Sequence, residues 1–306
     1  MRTIQLGKSD LQVPVVAVGC MRINGLEKEE AEKFIRTAME NGANFFDHAD
    51  IYGGGACEEI FSDAIHMNSE LREKMILQSK CGIVPGRMFD FSKEHILTSV
   101  DGILKRLKTE YLDVLLLHRP DALVEPEEVA EAFDALEKRG KVRNFGVSNQ
   151  NPNQIQLLQN SLKQPIIANQ LQLSITNATM ITQGLQVNML EEGAVNRDGS
   201  VLDFCRLNGI TIQPWSPFQY GFFEGVFLGN EKFPKLNEKI DELAKKYGVS
   251  NTTIAMAWLL RHPAKMQPVT GTMNTLRLLE CLKAAEITLT REEWYQIYLA
   301  AGNILP

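Results

Sequence analysis

The sequence is short of several things at once: it has no long apolar run, no surplus of basic residues, no paired cysteines and no low-complexity tract. Each shortage closes off a class of function. No stretch approaches the ~18 apolar residues of a membrane-spanning helix, and the opening Met-Arg-Thr-Ile-Gln-Leu-Gly-Lys lacks the apolar core of a secretory signal. A net charge of -6 sets a field that repels nucleic-acid backbones and anionic lipid surfaces, so neither nucleic acid nor membrane is expected as a partner. The five cysteines, Cys20, Cys57, Cys81, Cys205 and Cys281, are scattered and never spaced as C-x-x-C. That speaks against a disulfide framework and a structural zinc site, and makes a reducing, cytoplasmic setting the expectation.

What is present is the composition of an ordinary globular protein, 44% hydrophobic and 23% charged over 306 residues, with no composition shift to mark a linker. One domain over 1–306 is expected, a size α/β barrels reach undivided. After a small hairpin over Thr3 to Pro14, turning near Lys8-Ser9-Asp10, β-branched runs alternate with amphipathic segments. The expected strands are Val15 to Gly19, Asn44 to Ala49, Ile76 to Lys80, Leu112 to His118, Val142 to Ser148, Ile166 to Gln172, Ile210 to Ser216 and Met266 to Gly271. About eight such strands is what a closed parallel barrel requires, so the spacing predicts a (β/α)8 TIM barrel with an N-terminal β-hairpin.

Helical stripes lie between them. Ala31, Phe34, Ile35 and Ala38 recur at helical spacing over Glu27 to Asn41 and stop at Gly42; Ser92 and Pro126 open two further helices. Lys235 to Gly248 and Asn251 to Arg261 read as two successive helices, so the C-terminal part carries an extra one. Ser174 to Gly199 and Phe218 to Pro234 interrupt the rhythm as long loops, which in compact domains are usually functional.

A βα barrel builds its site at the C-terminal ends of its strands. Here those ends carry Asp47 and Tyr52 after the second strand, Lys80 on the third, His118 on the fourth and Ser148-Asn149 on the fifth. Asn169-Gln170, Trp215-Ser216 and Thr270-Gly271-Thr272 follow on the last three. A Tyr titrates near ~10, too high for ready proton exchange at neutral pH, and a neighbouring ammonium lowers that value. Lys80 is placed to be that cation, Asp47 to be its counter-ion, and His118 to bind a carbonyl oxygen or assist the phenol's proton exchange.

In order and context, Asp47, Tyr52, Lys80 and His118 resemble the catalytic tetrad of the aldo-keto reductase superfamily, and the likeness runs along nearly the whole chain. Phe45-Phe46-Asp47-His48-Ala49-Asp50-Ile51-Tyr52-Gly53 is similar to that family's tetrad motif, Gly146-Val147-Ser148-Asn149 to its nicotinamide motif, and Trp215-Ser216-Pro217 to its stacking and pyrophosphate motif. The short tail after Gly302 resembles bacterial members. The resemblance implies an NADP-dependent oxidoreductase acting on a small carbonyl substrate. Ser148, Asn149 and Gln170 would hold the carboxamide, Trp215 would stack on the ring, and Ser216, Pro217 and Phe218 would follow the pyrophosphate. Thr272, Asn274, Arg277 and Glu280 match positions that hold the 2′-phosphate and adenine. An arginine fork suits a phosphate, which favours NADP over NAD. Gly271 also falls in this set, but many members carry a Lys there, and an Asn where this chain has Cys281. The same fold also serves as a cofactor-bound regulatory subunit of potassium channels, so a binding role is the alternative.

Gly53-Gly54-Gly55 lacks the spacing of a dinucleotide loop and is expected to turn the chain near the substrate. His48 and Asp50 flank Ala49, but no H-x-H pair accompanies them, and no metal is expected. Met21, Phe89, Arg119 and Phe222 are the candidates for substrate contact. Monomer and small homo-oligomer are both left open.

Overall fold

The computed structural model describes residues 1–305. Eight parallel strands run in chain order around a cylinder: β1 Ala17–Gly19, β2 Phe45–Asp47, β3 Ile76–Cys81, β4 Val114–Leu117, β5 Phe145–Ser148, β6 Ile166–Gln172, β7 Thr211–Trp215 and β8 Val269–Thr270. β8 returns to β1 through the pairs Val269–Ala17 and Thr270–Val18. At the β7–β8 junction a hydrogen bond from Gln267 N to Ile212 O, 3.1 Å, bridges the gap. The fold is a nearly closed (β/α)8 barrel. Every strand expected from sequence is found, most of them trimmed. Leu112 and Val142, for example, form an isolated parallel bridge ahead of β4 and β5 rather than part of a continuous ladder.

Pleat alternation divides the apolar residues into two shells. Phe45, Val114, Leu116 and Val269 point into the lumen, where they meet Leu6 and Val13 of the N-terminal hairpin, Thr3–Gln5 paired with Gln12–Pro14. The hairpin is pinned there by Gly7, whose N–H donates to Thr211 Oγ1 at 2.7 Å. Gly7 has φ +55°, and a Cβ on it would lie 2.2 Å from Ile167 O, so only glycine fits. The N-terminal end of the lumen is thus plugged, and the open end is the C-terminal one. Outward residues such as Leu115, Leu117 and Phe145 pack under the helices, with Phe145 stacked on Phe133 at 4.0 Å between ring centres.

The helices begin and end for local reasons. The helix Lys28–Glu40 starts with a capping box between Glu27 and Glu30, and the one over Lys93–Leu107 starts with Ser92 Oγ accepting from His95 N. Pro126 occupies the first turn of Pro126–Lys138. The two successive helices are Pro234–Tyr247 and Asn251–Arg261, and two more, Thr275–Lys283 and Arg291–Ala300, complete the C-terminal part. The segments read as loops contain more structure than the sequence showed. Thr179–Leu185 is a helix that buries Met180 and Ile181, and the second segment holds a small hairpin, Gln219–Tyr220 with Gly225–Val226. A similar hairpin, Ile83–Val84 with Met88–Phe89, follows β3. Two-residue strands are too short for any period to register.

Candidate active site

On β3 the alternation that buries Leu77 and Ser79 outward carries Gln78 and Lys80 into the lumen, and on β2 it does the same for Asp47. Lys80 has no solvent exposure, and its ammonium donates to three oxygens: Asp47 Oδ2 at 2.8 Å, the His48 carbonyl at 2.7 Å and the Tyr52 hydroxyl at 3.1 Å. An ammonium has three donors, and each of them is used. Burial alone would lower its pKa, but Asp47 and Tyr52 outweigh burial and hold Lys80 above its ordinary value.

Asp47 is fixed from its other side. Its Oδ1 accepts from Gln78 Nε2 at 2.6 Å and from Gln170 Nε2 at 3.1 Å. Gln78 and Gln213 exchange hydrogen bonds at 2.9 and 3.1 Å, Gln213 donates to Gln267 at 2.9 Å, and Gln267 donates to Pro14 O at 2.8 Å. A ladder of amides therefore runs from the hairpin plug up the lumen to the carboxylate. Sequence reading passed over Gln213 and Gln267; the signal was an amide at lumen positions of strands otherwise apolar.

Tyr52 reaches the rim because the chain turns sharply after it. Gly53, Gly54 and Gly55 have φ of +58°, +65° and +97°, a run that L side chains resist, and they feed the helix Ala56–Ala64. That helix is tied down by Glu58, buried, which accepts from Ser79 Oγ at 2.7 Å and Arg106 Nε at 2.8 Å. The turn at Gly53-Gly54-Gly55 is as expected. The direction of the Tyr52 shift is not. Burial raises its pKa by more than Lys80 lowers it, so the phenol is held neutral rather than made more acidic.

His118 stands edge-on to Tyr52, with ring centres 5.9 Å apart and planes at 82°. Burial first, then the charges of Lys80 and Arg119, push its pKa well below the ordinary value, so the ring is neutral. Its Nδ1 is buried without a partner among the described residues. His48, behind the rim, packs against Phe61 at 4.6 Å and is pushed down to about 3, by burial and then by Lys80. No group of three or more His, Cys, Asp or Glu suited to a metal occurs among the described residues.

A cavity of about 1200 Å3 opens over this rim. Asp47, Tyr52, His118, Ser148, Asn149, Gln170, Trp215, Ser216, Pro217, Phe218, Gly271, Thr272, Asn274, Arg277 and Glu280 all line it, while Lys80 sits behind the wall. Of the substrate-contact candidates, Met21 and Arg119 line it; in the loop after β7 Phe223 does so, with Phe222 edge-on beside it at 4.8 Å. Phe89 is exposed on its hairpin, outside the lining.

A nicotinamide dinucleotide fits the donors present. Trp215 Nε1 donates to Asn149 Oδ1 at 3.1 Å, Asn149 Nδ2 to Ser148 Oγ at 2.8 Å, and Ser148 Oγ to Gln170 O at 2.9 Å, a chain that orients the ring and the amide below it. Gln170 spends its Nε2 on Asp47 and Gln213, and its Oε1 takes no hydrogen bond among the described residues. Ser216 has φ +53°, bending the chain at the rim. Asn274 caps the helix Thr275–Lys283 by accepting from Arg277 N.

One residue on this wall escaped the sequence reading. Arg22 donates from Nη1 to Gly271 O at 3.2 Å, and a Cβ on Gly271 would sit 3.1 Å from that same nitrogen. The guanidinium of Arg22 thus lies over the bare glycine and brings a cation to that place from the opposite side of the β8–β1 seam.

Fold and rim together define an oxidoreductase barrel. The sequence profile of the Aldo/keto reductase family matches residues 15–300, and the chain belongs to that family, an enzyme class that reduces carbonyl groups. It is 37% identical to the uncharacterized oxidoreductase YcsN of Bacillus subtilis over 98% of both chains. It is 33% identical to a 6-dehydroglucose reductase of Novosphingobium aromaticivorans over 99% of this chain and 96% of that one. Among solved structures it is similar to a thermostable aldo-keto reductase crystallised with the inhibitor epalrestat: TM-score 0.76, 28% identity, 98% of this chain and 100% of the other.

Proposed function

We propose that the protein reduces an aldehyde or ketone to the alcohol with NADPH, Tyr52 delivering the proton to the carbonyl oxygen. The observation that carries this reading is the committed ammonium of Lys80. Because Lys80 donates to the Tyr52 oxygen at 3.1 Å, that oxygen accepts and its own O–H is free for the cavity. When bound, the nicotinamide supplies the hydride. The phenol, kept neutral by burial, holds its proton until a carbonyl oxygen is in reach. As the proton leaves, the phenolate that develops lies beside a cation already in place, so little reorganisation is needed. Asp47 keeps Lys80 charged, and the neutral His118 orients the carbonyl oxygen through a ring N–H.

In the same reading Ser148, Asn149 and Gln170 hold the carboxamide, Trp215 backs the ring, and Ser216, Pro217 and Phe218 follow the pyrophosphate. Thr272, Asn274, Arg277 and Glu280 receive the adenosine end, with Arg22 above Gly271. Two guanidiniums on that wall favour the extra phosphate of NADP over NAD. The relative named 6-dehydroglucose reductase supports carbonyl reduction, and the five free, buried cysteines suit a reducing cytoplasm. The test is to mix purified protein with NADPH and a panel of aldehydes and ketones and follow nicotinamide absorbance. Carbonyl-dependent oxidation is expected, with NADPH bound about tenfold or more tighter than NADH. Tight binding without oxidation across the panel would instead indicate a cofactor-bound regulatory protein.

A further inference from the structure

Arg119 follows His118 directly and lines the substrate side of the cavity, half-buried. The other buried or half-buried arginines are engaged: Arg72 with Asp113, Arg106 with Glu58, Arg261 with Leu289 O. Arginines whose side chains have no hydrogen bond or ion pair among the described residues are otherwise exposed: Arg2, Arg87, Arg139, Arg277 and Arg291. Arg119 alone combines partial burial with no anion and no acceptor. It is held only by the face of Trp215, its guanidinium carbon 5.8 Å from the ring centre. A guanidinium taken partly out of water and left unpaired costs free energy, and burial lowers its pKa. Such a cost is recovered when an anion arrives.

Neither carboxylate of the cavity lining is paired with Arg119. The cavity is lined by two carboxylates: Asp47, bound to Lys80, and Glu280, on the helix after β8. In the order of strands around the barrel, β4 lies diametrically opposite β8, whose following segment carries Thr272 and Arg277. Arg119 therefore enters the site from the strand opposite the adenosine end, and its guanidinium reaches the Trp215 ring at the end of β7. The surrounding walls, Ile51, Ile83, Met21, Trp215 and Phe223, are largely apolar and raise the value of a charge–charge contact.

We propose that Arg119 is the receptor for a carboxylate on the substrate, so that the substrate is an aldehyde or ketone bearing a carboxylate in the same molecule. The planar fork of one guanidinium matches the two oxygens of one carboxylate, and this side of the cavity offers no second free cation for a phosphoryl dianion. The inference rests on the carbonyl-reduction reading for the reacting end of that molecule.

The experiment compares 3- and 4-carboxybenzaldehyde, each against its neutral carbamoyl analogue, in the native protein and in Arg119→Gln. The readout is the ratio of kcat/KM within each pair, so a change in absolute rate does not enter. In the native protein at least one pair favours the carboxylate about 10- to 100-fold, the range of a charge-assisted contact, and the ratio falls to within about threefold in Arg119→Gln. Ratios near one for both pairs in the native protein, or a preference that survives in Arg119→Gln, would overturn the proposal. The same four compounds titrated calorimetrically without reductant give the ratio as affinities. If nothing is turned over but the affinity ratio behaves as stated, the carbonyl-reduction reading fails while the anion receptor stands.

Discussion

Two buried ion pairs hold neighbouring strands at opposite ends of the barrel, and they are built to opposite purposes. Near the N-terminal ends of β3 and β4, Arg72 uses four of its five N–H donors: Nε donates to Thr109 Oγ1 at 2.9 Å, Nη1 to Met75 O at 2.9 Å, and Nη2 to Tyr111 O at 3.0 Å and Asp113 Oδ2 at 2.7 Å. Asp113 also accepts from Leu77 N and Arg143. None of these groups lines the cavity. At the C-terminal ends of β2 and β3, the Lys80–Asp47 pair is equally buried, but one of the three ammonium donors is spent on a phenol that opens onto a cavity. A closed set of partners stabilises; a set closed through a titratable hydroxyl can do chemistry.

Breaking each pair separates the two purposes. Replacing Lys80 by Met removes the cation beside the developing phenolate, and turnover is expected to fall by about 10²- to 10⁴-fold in steady-state assays. Replacing Arg72 by Met strands a buried carboxylate, and the expected loss is about 3–5 kcal/mol of unfolding free energy by denaturant titration. Turnover of the folded fraction should remain within a few-fold of the native rate; a collapse there would erase the distinction between the two ends.

A pH cost attaches to the upper pair through its neighbour His48. His48, held at about 3 by burial and by Lys80, stays neutral in the folded protein while the unfolded chain binds a proton near its ordinary ~6.5. The unfolded state therefore gains protons first as the medium is acidified, and stability drains from about pH 6.5 down towards about pH 3. Between about pH 7 and about pH 5 the loss from this ring is on the order of 2 kcal/mol. His48→Leu should flatten that acid limb; an unchanged slope would show that the ring is not the source. The smallest effect is at the far wall: Arg277→Ala should weaken NADPH binding about tenfold and NADH binding hardly at all, read by fluorescence titration.

The sequence made the strand ends legible because a parallel barrel writes its strands as short β-branched runs and gathers chemistry at one end of each. Asp47, Tyr52 and His118 sit where that logic put them, and Lys80 just behind. What it could not show depends on depth. The sign of the Tyr52 shift turns on how much burial competes with one ammonium, and no local pattern reports that. Arg22 was missed because its role exists only across the seam between β1 and β8, 249 residues apart along the chain. The small hairpins after β3 and β7 were missed because two residues carry no period.

The central claim is that the phenol of Tyr52 is the proton source. Single-turnover reduction of an aldehyde by Tyr52→Phe at saturating NADPH tests it directly. The expected rate is lower by about 10² or more, with NADPH affinity nearly unchanged. A native rate in that variant would contradict it.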